Sequence, residues 1–175
     1  MMIQPGALSP VPSYAAVPAQ AVAAVLQRLT ALGSLQQPLD VAFRRLESEQ
    51  PELAAFIAGE LSELEQAEAQ ALGYFLFLLV FLAFDEAFRP RLRKLEGEDL
   101  DHALELLVAD GEVRSQTCLA GSYSEDVVAV GQPALMDTIR SEIKGAAERV
   151  PEVDPILQAL LVEVVALTSA VAPAQ

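Results

Sequence analysis

The chain has 175 residues, enough for one domain with a sizeable core, and 53% of them are apolar. Twenty-five acidic residues against eleven basic ones leave a net charge of −14, which argues against nucleic acid as a partner, because phosphate contacts need Lys and Arg. One Cys and one His exclude a disulfide framework and a zinc site built mainly from those ligands, and the high apolar share excludes a disordered, charge-rich chain.

Residues 1–17 carry Pro5, Pro10 and Pro12, and the first charged side chain is Arg28. A secretory signal needs a basic n-region and a continuous apolar h-region, and neither is present. The segment reads as a flexible, Pro-rich N-terminal arm, and the chain is expected to be cytoplasmic. Residues 18–172 read as a single all-helical domain. Pro18 starts a helix to about residue 31, with Val22, Val25, Leu26, Leu29 and Leu32 apolar and Gly33 as its stop. Pro38 opens another, with Leu39, Ala42, Phe43 and Leu46 on one face. Pro51 opens a third, with Leu53, Phe56, Ile57, Leu61 and Leu64 at helical spacing and Gly59 as a weak point. An apolar helix over about 67–88 follows and ends before Pro90. The next runs over about 99–109, with Asp99 as N-cap and Asp110-Gly111 as its stop. Residues 112–124 read as a loop with a short extended piece. Pro133 starts a helix carrying Leu135, Met136, Ile139 and Ile143, and Asp154-Pro155 starts the last one. No strand-like alternation of useful length appears, and Val127 to Val130 is a short β-branched cluster. The expectation is an all-α compact bundle of six or seven helices around the central apolar helix.

One internal echo stands out. QPELAAFIAGEL at 50–61 and QPALMDTIRSEI at 132–143 share Q-P-x-L-x-x-x-I-x-x-E-[L/I], and an apolar helix follows each. At the same offset of 82, Leu78-Leu79-Val80 falls on Leu160-Leu161-Val162. Much of the motif is ordinary helix grammar, with Pro at the first helical position and apolar residues at i, i+4. The alternative is a pair of related helical hairpins packed about a pseudo-two-fold axis.

The central helix is apolar on two sides. Phe77, Phe81, Phe84 and Phe88 form one stripe, and Leu72, Phe75, Leu79 and Leu82 form another nearly opposite. Such a helix is surrounded, either by its own domain or by its domain and a second chain. Ala67, Ala69, Ala71 and Gly73 permit close helix approach. A homodimer through one stripe is therefore expected, two-fold closure being the usual way to cover such a patch. The continuous run 71–84 is 14 residues, about 21 Å as a helix, against a hydrocarbon core of about 30 Å, so no membrane span is expected. Glu86 continues the Leu79/Leu82 stripe, and Arg89 at i+3 is its expected partner.

Polar chemistry is sparse. Glu60 with Glu63 forms E-x-x-E, and Glu96 with Asp99 forms E-x-x-D, the carboxylate pairs with which helical nucleotide pyrophosphatases hold Mg²⁺. Among 25 carboxylates such pairs arise cheaply, and a solvated acidic face on 60–68 explains them as well. His102 and Cys118 lack an identifiable third group for a thiol–imidazole dyad. Arg89, Arg91, Arg93 and Lys94 cap a helix C-terminus or form a patch for a protein partner. The sequence reading is therefore a non-catalytic helical protein acting by protein–protein interaction or self-association, with no cofactor and no catalytic residue. The alternatives are an Mg²⁺-dependent nucleotide-processing enzyme and a carrier of an apolar small ligand beside the 72–88 helix.

Overall fold

The computed structural model describes residues 7–31, 36–116, 124–151 and 153–173. Among them the α-helices are α1 (Ala19–Thr30), α2 (Gln36–Glu49), α3 (Pro51–Ser62), α4 (Ala67–Phe88), α5 (Gly97–Gln116), α6 (Ser124–Gly131), α7 (Pro133–Ala146) and α8 (Val153–Ala170). Short 3-10 turns occupy Ser13–Ala15 and Arg89–Arg91, and an isolated antiparallel bridge joins Leu92 to Val171. The fold is a compact all-α bundle, with one helix more than the sequence predicts.

The additional helix is α6, in which Val127 and Val128 are buried. The β-branched cluster is helical because tertiary packing overrides a weak local preference. The helix expected to stop at Asp110-Gly111 continues to Gln116. Asp110 is fully buried and pairs across one turn with Arg114, Nε to Oδ2 at 2.5 Å, which holds the helix together past Gly111. The start also differs. Gly97 is already helical, and Asp99 sits a turn inside, where its carboxylate accepts the Glu96 N–H at 2.8 Å. That is the inner member of a capping box and not the cap itself. Gly59 does not break α3.

Residues Leu76 to Asp85 of α4 are all buried, and α4 packs against α1, α2, α3, α7 and α8. Both apolar stripes are therefore covered within one chain. Only their N-terminal members, Leu72 and Phe75, are half-buried. At Gly73 the close approach to α3 is real: a Cβ there would lie 2.8 Å from Leu61 Cδ2. The 14-residue apolar run lies within a longer helix than the run itself. The helical stretch Ala67–Arg91 is 25 residues with mean hydropathy 1.9, and Val153–Ala170 is 18 residues with 1.6. By length and composition alone both could cross a bilayer; in the folded chain 67% and 56% of these windows, respectively, are buried.

The echo in the sequence is an echo in space. At the offset of 82, α3 and α7 start together, at Pro51 and Pro133. Likewise α2 and α6 end together, at Glu49 and Gly131, and α4 and α8 at Phe88 and Ala170. Exchanging the halves maps most packing onto itself: α1 on α4 becomes α5 on α8, α1 on α7 becomes α5 on α3, and α4 on α7 becomes α8 on α3. The pair α4–α8 maps onto itself across the pseudo-axis. The contacts of α3 with α4 and of α5 with α6 lack an equally extensive counterpart, so the symmetry is approximate.

The two Gln-Pro steps explain how the halves are tied. Proline disfavours the helical region for the residue before it. Gln50 (φ −135°, ψ 63°) and Gln132 (φ −127°, ψ 56°) accordingly leave it, and each turns a corner between two helices. Their backbones still serve both: Gln50 N–H donates to Leu46 and its carbonyl accepts from Ala54, and Gln132 repeats this with Val128 and Met136. Their buried amides then reach across the pseudo-axis. Gln50 donates to the Arg93 carbonyl at 3.0 Å and accepts the Leu95 N–H at 2.7 Å. Gln132 donates to the Ala15 carbonyl at 2.8 Å and accepts the Val17 N–H at 2.8 Å. Each amide thus stands in for one rung of a neighbouring strand, and each half holds the extended strap that leads into the first helix of the other.

Candidate functional site

The first half leaves a groove between α1, α2 and the side of α4. Val25 and Leu29 come from α1, Pro38, Val41 and Ala42 from α2, and Leu82 from α4, enclosing about 600 Å³ open to solvent. Val41 is 60% exposed, although the helical pattern of α2 does not require an apolar residue there.

Arginines line the groove and are tied to acids of α4. Arg28 pairs with Glu86 at 2.8 Å, and Arg45 pairs with Asp85 at 2.6 Å and with Glu49 at 2.9 Å. Arg89 reaches the same Asp85 at 2.7 Å. The expected Glu86–Arg89 pair is therefore not formed: the i+4 geometry delivers Arg89 to Asp85, and Glu86 emerges at the rim toward Arg28. Burial pushes the Asp85 carboxyl up, and its hydrogen bonds with Arg89 and Arg45 outweigh this and hold it below the ordinary value. The Arg45 guanidinium also lies 6.0 Å above the Phe81 ring.

The second half presents the equivalent place differently. At the offset of 82, Arg45 corresponds to Val127, Asp85 to Leu167 and Leu82 to Val164. The ion pair of one half is apolar in the other. Over this surface runs the N-terminal arm. Leu8, Ala15 and Val17 are buried, and Val11 lies so close to Gly131 that a Cβ there would be 2.3 Å from Val11 Cγ2. Between arm and helices remains a space of about 230 Å³.

The other sequence candidates fall apart spatially. Asp99 is held by Arg93 through two bonds at 2.6 and 2.7 Å, and with the Glu96 N–H this lowers its pKa to about 2. Glu60 and Glu63 sit at the C-terminal end of α3, where burial and then Glu63 push the Glu60 carboxyl up. Among the described residues no group of three or more His, Cys, Asp or Glu side chains is placed to hold a metal ion. The basic stretch is largely engaged within the chain. Arg89 binds Asp85, Arg91 donates to the Ala172 carbonyl at 3.0 Å, Arg93 binds Asp99, and Lys94 is exposed. His102 is exposed on α5, and Cys118 lies outside the described residues.

One buried acid escaped the sequence reading. Glu163 in α8 is fully buried, both its carboxylate oxygens lack a hydrogen-bond partner, and burial pushes its carboxyl well above the ordinary range. The signal was present, as the lone charge between Pro155 and Gln175. It occupies the position that Phe81 holds in the first half. No family model, curated protein or solved structure matches this chain.

Proposed function

We propose that the protein is a non-catalytic helical interaction module that self-associates through the α1/α2/α4 groove. One observation carries this reading. The equivalent surface of the second half is roofed by the chain's own arm, whereas among the described residues the first-half groove stays open and keeps Val41 at 60% exposure. Apolar surface gathered in a concave place, with its charges already paired at the margin, is what an interface core needs. An isologous pairing brings the same face of two copies together, so the α2 rim of one meets that of the other. The two stripes of α4 do not serve this purpose, because the chain buries them itself.

The test is photo-cross-linking of the purified chain carrying benzoylphenylalanine in place of Val41, with Glu148 as the control position. Glu148 is exposed beyond the C-terminal end of α7. A dimer-sized adduct from position 41 and none from position 148 supports the reading. Equal adducts from both, or none from 41, contradicts it.

A further inference from the structure

We infer that the space beneath the N-terminal arm is a binding site for a small, uncharged, apolar molecule of roughly nine or ten carbon atoms. This goes beyond self-association and uses the opposite half of the molecule.

The site is built from three directions. Leu8, Val11 and Pro12 of the arm form its roof, Val127 and Val128 of α6 one wall, and Val164 with Val165 of α8 the other. Among the described residues no charged side chain lines it; the polar side chains at its edge are Ser9, Tyr14, Thr168 and Ser169. Two of these are already committed to the helix, since Thr168 donates to the Val164 carbonyl and Ser169 to the Ala166 carbonyl. The remaining surface therefore selects for hydrocarbon and against charge, because an ion here would lose its hydration without a partner.

The volume sets the size. An apolar cavity of about 150 Å³ stays dry and accepts benzene. By proportion, the 230 Å³ found here suits a molecule half as large again. Left empty, such a space forfeits the dispersion contacts of its lining.

The roof is a lid fixed at both ends. The Leu8 N–H donates to Asp110 at 3.3 Å, and Asp110 is itself anchored by Arg114 and by Ser124 at 2.7 Å. At the other end Gln132 holds Ala15 and Val17. Between these anchors Val11 packs closely on Gly131. The space there is partly open to solvent, which gives a ligand a way in without unfolding the bundle. Among the described residues the first-half groove has no such roof, and Arg45 stands there in the place of Val127, so the two surfaces are expected to differ in what they accept.

The probes are naphthalene and naphthalene-2-carboxylate, added to the full-length chain and followed by methyl NMR and thermal melting. Expected are saturable naphthalene binding, a raised melting temperature, and shifts concentrated on the methyls of Val128, Val164 and Val165. The carboxylate should bind at least tenfold more weakly. Val165→Phe, at a half-buried lining position, should fill the space and abolish binding with the fold intact. If that variant fails to fold, the methyl shifts of the parent chain decide alone. No saturable binding up to the solubility limit of naphthalene, shifts centred on Val25 and Val41 instead, or equal binding of the carboxylate would each overturn the inference.

Discussion

Glu163 is the residue at which the core departs from its own pattern. An unpartnered buried carboxyl is held neutral, so the folded chain keeps a proton that the unfolded chain releases near the ordinary carboxylate value. Stability from this group is full below that value and declines as pH rises toward the folded pKa. Glu163→Leu removes the decline, and at pH 8 that variant should be about 1–3 kcal/mol more stable than the parent in urea titrations, the usual cost of an unsatisfied buried polar group. An unchanged midpoint there would mean that the carboxyl finds a partner. The buried acids Asp85 and Asp110 act oppositely. Their pKa values are lowered, because arginine pairing outweighs burial, so their contribution is present above the ordinary value and lost as pH falls. The parent should therefore be destabilised on both sides of a mildly acidic optimum, and Glu163→Leu should flatten the alkaline side alone.

The two corner glutamines make a second prediction at this scale. Gln132→Leu leaves the Val17 N–H and the Ala15 carbonyl buried without a partner, and should cost about 2–5 kcal/mol in chemical denaturation. Gln50→Leu strips Arg93 and Leu95 in the same way and should cost a similar amount. A loss below about 0.5 kcal/mol at both sites would mean that the straps are held by packing and not by the amides. His102→Ala, on an exposed face, should leave the melting temperature unchanged.

At the scale of the element, α4 shows what periodicity can and cannot report. Its two stripes, Phe77/Phe81/Phe84/Phe88 and Leu72/Phe75/Leu79/Leu82, say that the helix is surrounded, and it is. They do not say by what, because apolar side chains carry no label for an intramolecular or intermolecular neighbour. Five helices of the same chain surround α4. Helix starts at Pro18, Pro51 and Pro133 are readable within a residue, because proline fixes φ and lacks the N–H that a first turn leaves unpaired anyway. Stops are less readable. Asp110-Gly111 has the composition of a stop, but the pairing of Asp110 with Arg114 and Ser124 is a tertiary matter that no local window contains. The groove was likewise invisible in sequence: Val41 is an ordinary apolar residue there, and only the tertiary placement of α1 and α2 beside α4 forms a groove around it. Leu79 is fully buried at the centre of α4, so Leu79→Ala should cost about 2–5 kcal/mol, with a melting temperature several degrees lower. A melt unchanged within a degree would remove α4 from the centre of the core.

At the scale of the whole molecule, the chain behaves as a pseudo-dimer of four-helix halves, each clamping the other's strap. The half-symmetry was visible in QPELAAFIAGEL and QPALMDTIRSEI, but the role of the glutamines was not, since a helix start needs the proline and not the residue before it. The halves differ where the surface matters. One groove carries arginines and stands open, and the other is apolar and roofed by the arm. The open groove is the proposed assembly surface, and a net charge of −14 opposes that assembly through exposed groups, which salt screens. The proposed dimer therefore needs apolar burial on the scale of a standard interface, about 1,600 Å² in total, to outweigh such repulsion. Sedimentation equilibrium of the parent chain and of Val41→Asp, at low and at high salt, decides the matter most directly. Expected are a parent dimer with a micromolar dissociation constant that falls as salt rises, and a Val41→Asp variant that stays monomeric with an unchanged melting temperature. A parent chain that is monomeric at both salt concentrations, or a Val41→Asp variant that dimerises as well as the parent, would contradict the proposed assembly.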